Sequence, residues 1–477
     1  MPDRSEMRTT ALAHKADLLR SLRLSTSEGV MAMPIVTMAL PVNVVLTALV
    51  TQVFPLSTAM IGVFSSLPFV ANFFQIAAVP LLSRWKPPKV ISIGAATIHM
   101  LTWAAFGVLL PLIPRDNPIV AGQWLVAWFL VSSFFSAIAG VTWNSWIQEW
   151  VPIRIRGKYF GRRNGIQQIS TLTFLLFAGW LLDEWRYSVR IFQAIILVSC
   201  FLRLFSLRWQ WISPTRPRKP PVKDPLPLGA QFRILAGQRS LLLFVAFGAV
   251  WSFAAYCFGP FYQVFMFEPI GFTAWNIGVV STLSQLGGVL SLPAWGQLLD
   301  RYGNKSVMAF SLVLWQAQYF VWCFVTPHNR WLLYGMWTWA GATSAGFVLG
   351  QFTLLLKLLP EKAKDLAIGF NLAATSFFAA IAPIVGGWVL SRALLRWHDA
   401  LAVYHACFLL QPVLALAGGC LLVRIREPAA SPFAMVVGSM RNIRTLSGVL
   451  GLSFLTNYLF IRVPRRLTEP GRSTPEQ

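Results

Sequence analysis

The sequence predicts an all-α membrane protein with twelve transmembrane helices in two six-helix bundles related by pseudo-two-fold symmetry. Three observations carry that prediction. The 477-residue chain is 56% hydrophobic and 12% charged, with a mean hydropathy of +0.59, too apolar for a soluble protein of this length. Apolar windows of about 20 residues, the length that crosses a bilayer core of about 30 Å, tile the chain from near Gly29 to near Val423. Finally, Ile61-Gly62-Val63, Ser65 and Leu67 recur as Ile277-Gly278-Val279, Ser281 and Leu283 at an offset of 216 residues, the mark of a duplicated half.

The predicted windows of the first half are 27–52, 57–82, 90–112, 121–147, 165–185 and 187–208. Those of the second half are 239–267, 274–299, 306–326, 331–357, 366–391 and 401–424. Helices follow from their continuity and length, because membrane β-strands need only about 9 to 11 residues of alternating polarity. The chain therefore divides into an N-terminal segment (1–26), a first bundle (27–208), a linker (209–238), a second bundle (239–424) and a tail (425–477).

The formal charge of +23 is distributed as membrane topology requires, not as nucleic acid would. Arg4, Arg8, Lys15, Arg20 and Arg23 precede the first window, Arg84, Lys86 and Lys89 lie between the second and third, and Arg154, Arg156, Lys158, Arg162 and Arg163 between the fourth and fifth. The alternate loops hold few cations: Arg115, then Arg186 and Arg190, then Arg330, then Arg392 and Arg396. Positive-inside asymmetry then places both termini in the cytoplasm and anionic lipid against the basic face, and no nucleic-acid partner is expected. The Pro/Lys/Arg-rich linker reads as an extended tether. The first 24 residues are too polar for a signal peptide, and Leu12, Leu18, Leu19 and Leu22 suit a short interfacial helix. Leu446 to Val463 reads as a helix on the inner surface instead of a thirteenth span.

Cys200, Cys257, Cys323, Cys407 and Cys420 all fall in apolar windows without a CxxC pair. The five histidines are scattered, and no HExxH, Walker loop, GxSxG or paired-carboxylate pattern appears. Neither an enzyme nor an ATP-driven pump is indicated, and no cofactor or metal is expected. Two repeated halves in an apolar chain point instead to a secondary transporter with its site near the bilayer midplane, between the halves.

Gly296-Gln297-Leu298-Leu299-Asp300-Arg301-Tyr302-Gly303-Asn304-Lys305 resembles the GxxxDRxGxK loop of the major facilitator superfamily, bacterial type. Twelve spans, two halves and a long central linker fit that family as well. The equivalent hairpin of the first half is degraded, with Ser83 in place of the aspartate and Arg84 retained. Pro152-Ile153-Arg154-Ile155-Arg156-Gly157 through Asn164 resembles the family's Pro-x3-Arg-Gly loop, echoed at Pro360 and Gly369. The resemblance implies a cytoplasmic gate of Gly296, Asp300, Arg301, Gly303, Lys305, Arg84, Arg156, Arg162 and Arg163. In it, Asp300 latches onto one or more of the last three arginines in the outward-facing state.

The resemblance also implies a cavity lined by spans 1, 2, 4, 5, 7, 8, 10 and 11. Polar and aromatic residues near the middle of those windows are the substrate candidates: Asn43, Asn72, Ser132, Ser136, Gln168, Trp251, Tyr256, Gln285, Trp339, Thr343 and Thr375. Each could equally serve helix packing. Glu28, His99 and Glu149 are the coupling candidates, and Arg203 is set aside because span 6 packs outside the cavity in this family. The expectation is a secondary transporter of the bacterial inner membrane, monomeric, moving a small organic solute by alternating access, with protons as the candidate coupling ion. An uncoupled facilitator and a transporter-like receptor are the alternatives.

Overall fold

The computed structural model describes residues 4–215, 226–427 and 430–452, and no strand occurs among them. Eleven helical stretches are long and apolar enough to cross a membrane alone. In the first half these are α3 (Thr58–Ser83), α4 (Pro88–Leu109), α5 (Pro118–Trp150), α6 (Ile153–Glu184) and α7 (Val189–Ile212). The remaining crossing is composite. Helix α1 (Arg4–Met38) stops short, and α2 (Val44–Ala48) continues it into one π turn, Leu49–Val53.

Asn43 explains that break. Its Nδ2 donates to the carbonyls of Met38 (3.1 Å) and Leu40 (2.9 Å), and its Oδ1 accepts from the Leu46 amide at 2.9 Å, capping α2. The second half breaks its own first span at the matching place. Helix α9 (Arg239–Cys257) ends at Phe258-Gly259-Pro260, and α10 (Phe261–Phe267) completes the crossing. Every residue of α2 and α10 is buried, so both broken tips are wrapped by protein, where irregular backbone can be tolerated.

The second half continues through α11 (Ala274–Tyr302), α12 (Asn304–Val321), α13 (Leu332–Leu358), α14 (Lys364–Arg396) and α15 (Ala400–Val423). Its packing repeats the first. In the first bundle α1 packs on α6 and α7, α5 on α3 and α4, and α4 on α7. In the second, α9 packs on α14 and α15, α13 on α11 and α12, and α12 on α15. Each pair is the image of its counterpart under exchange of halves.

Two symmetry-related seams join the bundles, α3 on α14 and α6 on α11. Both lie toward the end opposite the basic loops, and both rest on glycine. A Cβ on Gly387 would meet the Thr58 carbonyl at 2.5 Å and Gly62 Cα at 3.1 Å, while one on Gly179 would meet the Ala274 carbonyl at 2.8 Å. Bare backbone lets the helices approach this closely. Toward the basic end α6 and α11 make no such approach: a Cβ on Gly157, Gly161, Gly165 or Gly296 would have nothing within 4 Å, nor would one on Gly369 of α14. The structure is closed at the far end and open at the basic end.

Three segments depart from the sequence expectation. Helix α6 begins at Ile153, twelve residues before the predicted window, so the Arg-rich stretch is its first turns and not a loop. Part of the linker is helical, α8 (Leu228–Ala236), which buries Leu235 against Leu241, Val245 and Ala367, while residues 216–225 lie outside the described part. Near the N-terminus, α1 is continuous and buries Leu22 against Trp146, Ile147 and Trp150. In the tail, α16 (Phe433–Ser439) docks on α12 and α17 (Ile443–Val449) on α11. Val436 and Val449 are fully buried there, and Gly451 reaches Leu290 and Ser291. Residues 453–463 of the expected surface helix lie outside the described part.

Candidate functional site

Four of the sequence-derived candidates, Glu28, His99, Ser136 and Arg163, line one cavity of about 250 Å³ inside the first bundle, together with Arg203, Gln167, Gln210, Trp143 and Asn144. Arg163 and Arg203 sit nine to ten residues in from the basic ends of α6 and α7, about 14 Å along the helix axis. Glu28 is 3% exposed, Arg163 5% and Arg203 7%, so these charges are removed from water and have to be paired.

Glu28 takes both arginines. Arg163 Nη2 lies 3.1 Å from Glu28 Oε2, and Arg203 Nη1 3.6 Å from Oε1. Gln210 donates to Oε1 at 2.7 Å and Ser206 at 3.3 Å. Arg163 is further fixed by Gln167 Oε1 (2.8 Å), the Ser25 carbonyl (3.2 Å) and the Trp143 ring, 4.3 Å from its guanidinium carbon. Arg203 reaches Ser206 at 2.8 Å but leaves its Nε without a partner. His99 Nε2 accepts from Trp103 Nε1 at 3.0 Å, which assigns the neutral ring's proton to Nδ1. Four helices, α1, α5, α6 and α7, thus contribute to one network, and α4 lines its cavity through His99.

At the far end a second polar device joins the bundles. Asp183, at the end of α6, accepts from the amides of Ala274 (2.9 Å) and Trp275 (2.8 Å), the first residues of α11. A carboxylate on free helix amides is favoured by hydrogen bonding and by the helix dipole. The Tyr187 hydroxyl donates to Asp183 at 2.5 Å and accepts from the Ala274 amide at 3.1 Å. Burial and that bond to Asp183 push its pKa up, so it stays a donor. Arg186 and Tyr187 hold φ of +46° and +55°, left-handed backbone at non-glycine residues, which costs about 1 to 3 kcal/mol each and is sustained by the contacts around it.

The hairpin motif at the basic end works within its own bundle. Gly303, at φ +86°, turns the chain between α11 and α12. The buried Glu427 carboxylate caps α12 through the amides of Asn304 (3.1 Å) and Lys305 (2.7 Å) and accepts from Lys357 at 3.0 Å. Lys305 Nζ grips the carbonyls of Val423 (2.7 Å) and Ile425 (2.9 Å). The first half repeats the grip, with Lys89 Nζ on Trp211 (2.8 Å) and Ser213 (2.7 Å). Asp300, Arg84 and Arg162 are exposed, and Arg301 extends over the Tyr302 ring at 5.2 Å. Arg156 donates to the Val151 and Gln148 carbonyls. Gly296 faces open space. No ion pair to Asp300 occurs among the described residues in this basic-end-open conformation.

The other candidates are spread out. Asn43 is a helix cap, Thr343 and Thr375 donate to carbonyls of their own helices, and Trp339 donates to the Leu314 carbonyl of α12. Trp251 is buried in a ring cluster, 4.6 Å from Phe347 and 4.9 Å from Trp315. Tyr256 packs across the seam on Phe69 at 4.3 Å, Asn72 accepts from Gln75, and Gln285 is half-buried. Ser132 Oγ and Gln168 Nε2 are buried without a hydrogen-bond partner, and Glu149, near the basic end of α5, is half-buried and held by a contact. The residues that sequence reasoning passed over are Arg203, Gln210 and Asp183. The signal for Arg203 was present: a charge in mid-window.

Comparison with known proteins accords with this geometry. The nucleoside transporter NupG superposes with a TM-score of 0.62 at 16% identity, covering 86% of this chain and 98% of that one. A D-xylose-proton symporter gives 0.67 at 14% identity, covering 87% and 100%. A bacterial homologue of the human lysosomal transporter Spinster, in an inward-facing and unoccupied conformation, gives 0.58 at 15%, covering 93% and 98%. Among curated proteins, "Probable anion transporter 3, chloroplastic" of Oryza sativa subsp. japonica is 25% identical over 126 residues, 26% of this chain and 24% of that relative's length. The sequence pattern of the Major Facilitator Superfamily matches residues 29–258 and 252–467, spanning both halves. The chain therefore belongs to the Major Facilitator Superfamily.

Proposed function

We propose that the protein carries a small organic solute across the bacterial inner membrane by alternating access and that proton binding in the first bundle drives it. The observation that carries this reading is the pairing of a far end shut by bare-backbone seams and Asp183 with a basic end whose helices stand apart. The lysines and arginines of the open end support a cytoplasmic orientation for it and for both termini, with anionic lipid against that face. Glu28 and His99 line one cavity with two arginines, the arrangement in which gain or loss of a proton changes how the helices hold together.

Counterflow in proteoliposomes tests the reading, with sugars, nucleosides, amino acids, organic acids and amphipathic drugs supplied with and without an imposed pH gradient. Saturable exchange of one compound, accelerated by the gradient, is expected. In Glu28→Gln, exchange should persist while the response to the gradient disappears. Exchange indifferent to the gradient in the native protein would make it an uncoupled facilitator. Binding without exchange would make it a receptor.

A further inference from the structure

The first-bundle cavity holds more positive charge than its carboxylate can answer. Among the described residues, Glu28 is the one carboxylate within ion-pair distance of either Arg163 or Arg203, which leaves one guanidinium charge in excess. A buried charge without a counter-charge is among the most expensive features a fold can carry. The excess sits beside space: Arg203, with its unpartnered Nε, lines a void of about 250 Å³ together with Ser136, Asn144 and His99. At about 30 Å³ per water, that volume takes a small ion with several waters. The helices leave an approach to it, because Val36 of α1 and Gly140 and Asn144 of α5 are exposed at its rim and a Cβ on Gly140 meets nothing within 4 Å.

We infer that this cavity binds a small monovalent anion, a halide or a short carboxylate, which completes the charge balance of Glu28, Arg163 and Arg203. Arg203 is its principal ligand, and the hydroxyl of Ser136 and the amide of Asn144 supply neutral donors nearby. The anion holds α1, α5 and α7 at a common distance from the network and strengthens the bundle when bound. The inference is independent of which solute the transporter carries.

The test is thermal unfolding of the full-length protein in detergent at constant ionic strength, with chloride or acetate replacing gluconate. The native protein should show a saturable rise in Tm with either small anion and none with gluconate. Arg203→Gln removes the excess charge and should weaken the response at least tenfold, whereas Glu28→Gln adds to the excess and should shift half-saturation at least tenfold lower. Gly140→Trp, which fills the rim without touching a charge, should also abolish the response. That variant decides the matter if Arg203→Gln does not fold. An equal response in native, Glu28→Gln and Gly140→Trp proteins, or none in the native protein, would overturn the inference. Because the measurement reads binding without flux, a protein that binds chloride but exchanges no solute would sink the transport reading and leave this one standing.

Discussion

At the 216-residue offset that relates Thr47 to Gln263, Glu28 of the first half corresponds to Phe244 of the second and His99 to Trp315. Matching the two lysine grips at the ends of α7 and α15 puts Arg203 opposite Ala415 and Gln210 opposite Leu422. Where the first bundle holds an ion network, the second holds a packed aromatic and aliphatic cluster of Phe244, Phe247, Trp251, Phe347, Ala415 and Leu422. Both bundles nevertheless use the same helix pairs. The helix plan therefore does not need the charges. A position that folds well around phenylalanine and alanine, yet in one copy contains two buried arginines and a glutamate, bears a cost that packing does not explain.

The largest effect that could break this comparison comes from removing the shared counter-charge. Glu28→Leu removes the charge and, unlike Glu28→Gln, also every oxygen that Arg163, Ser206 and Gln210 bond, leaving buried donors unanswered. It should cost about 3 to 5 kcal/mol, seen as lost monodisperse protein in fluorescence-detected size exclusion. The triple change Glu28→Phe, Arg163→Asn and Arg203→Ala should instead restore a folded protein, because replacing a whole ionic network by packed neutral side chains is commonly neutral or better. That protein should be inert in counterflow. Should the triple variant transport normally, the first bundle's charges would be only an idiosyncrasy of its core.

Next in size is the seam, where Gly62→Leu forces α3 away from Pro383 and Gly387. Overpacking of about 1 to 3 kcal/mol falls on the far-end-closed state alone, so cysteine probes placed at the far end should react roughly 5- to 150-fold faster. Asp183→Asn sharpens the same point more gently. A neutral amide keeps the shape but gives up the charge on the α11 amides, about 1 kcal/mol, and far-end labelling should rise about fivefold. The smallest effect concerns Asp300. Being exposed and unpaired in this conformation, it should leave Tm unchanged when replaced by asparagine. If it latches the basic end in the opposite conformation, the same change should raise cysteine labelling on that side, and identical labelling would dismiss the latch.

The crossings were legible in the sequence because lipid demands about 20 apolar residues wherever a helix passes through it, and eleven such helices are present among the described residues. The breaks were less legible. Asn43 lies in a continuous apolar window, and only its bonds to Met38 and Leu40 reveal that the helix stops there. The start of α6 was hidden for the opposite reason: Arg154 to Arg163 suggest a loop, while the backbone stays helical and turns Arg163 inward to Glu28. The site was legible in part. Glu28 and His99 stand out as ionisable groups in apolar surroundings, but an all-apolar window has no periodicity from which to tell an inner face from an outer one. That is why Trp339 and Thr343, chosen by their depth, are taken up by backbone carbonyls, while Arg203, on a helix expected outside, points into the network.

Thr47 and Gln263 occupy the same place in successive copies of the repeat, and they touch, with Thr47 Oγ1 donating to Gln263 Oε1 at 2.8 Å. A residue can meet its own counterpart in this way only beside the axis that exchanges the copies. In an ancestor assembled from two identical, separate subunits, that position would have been obliged to bond with itself, donor against donor or acceptor against acceptor unless one side chain could serve as both. A single chain is under no such obligation. Its two copies can differ at the place where symmetry would bind them most tightly, and here a hydroxyl donates to an amide oxygen, a bond between unlike partners.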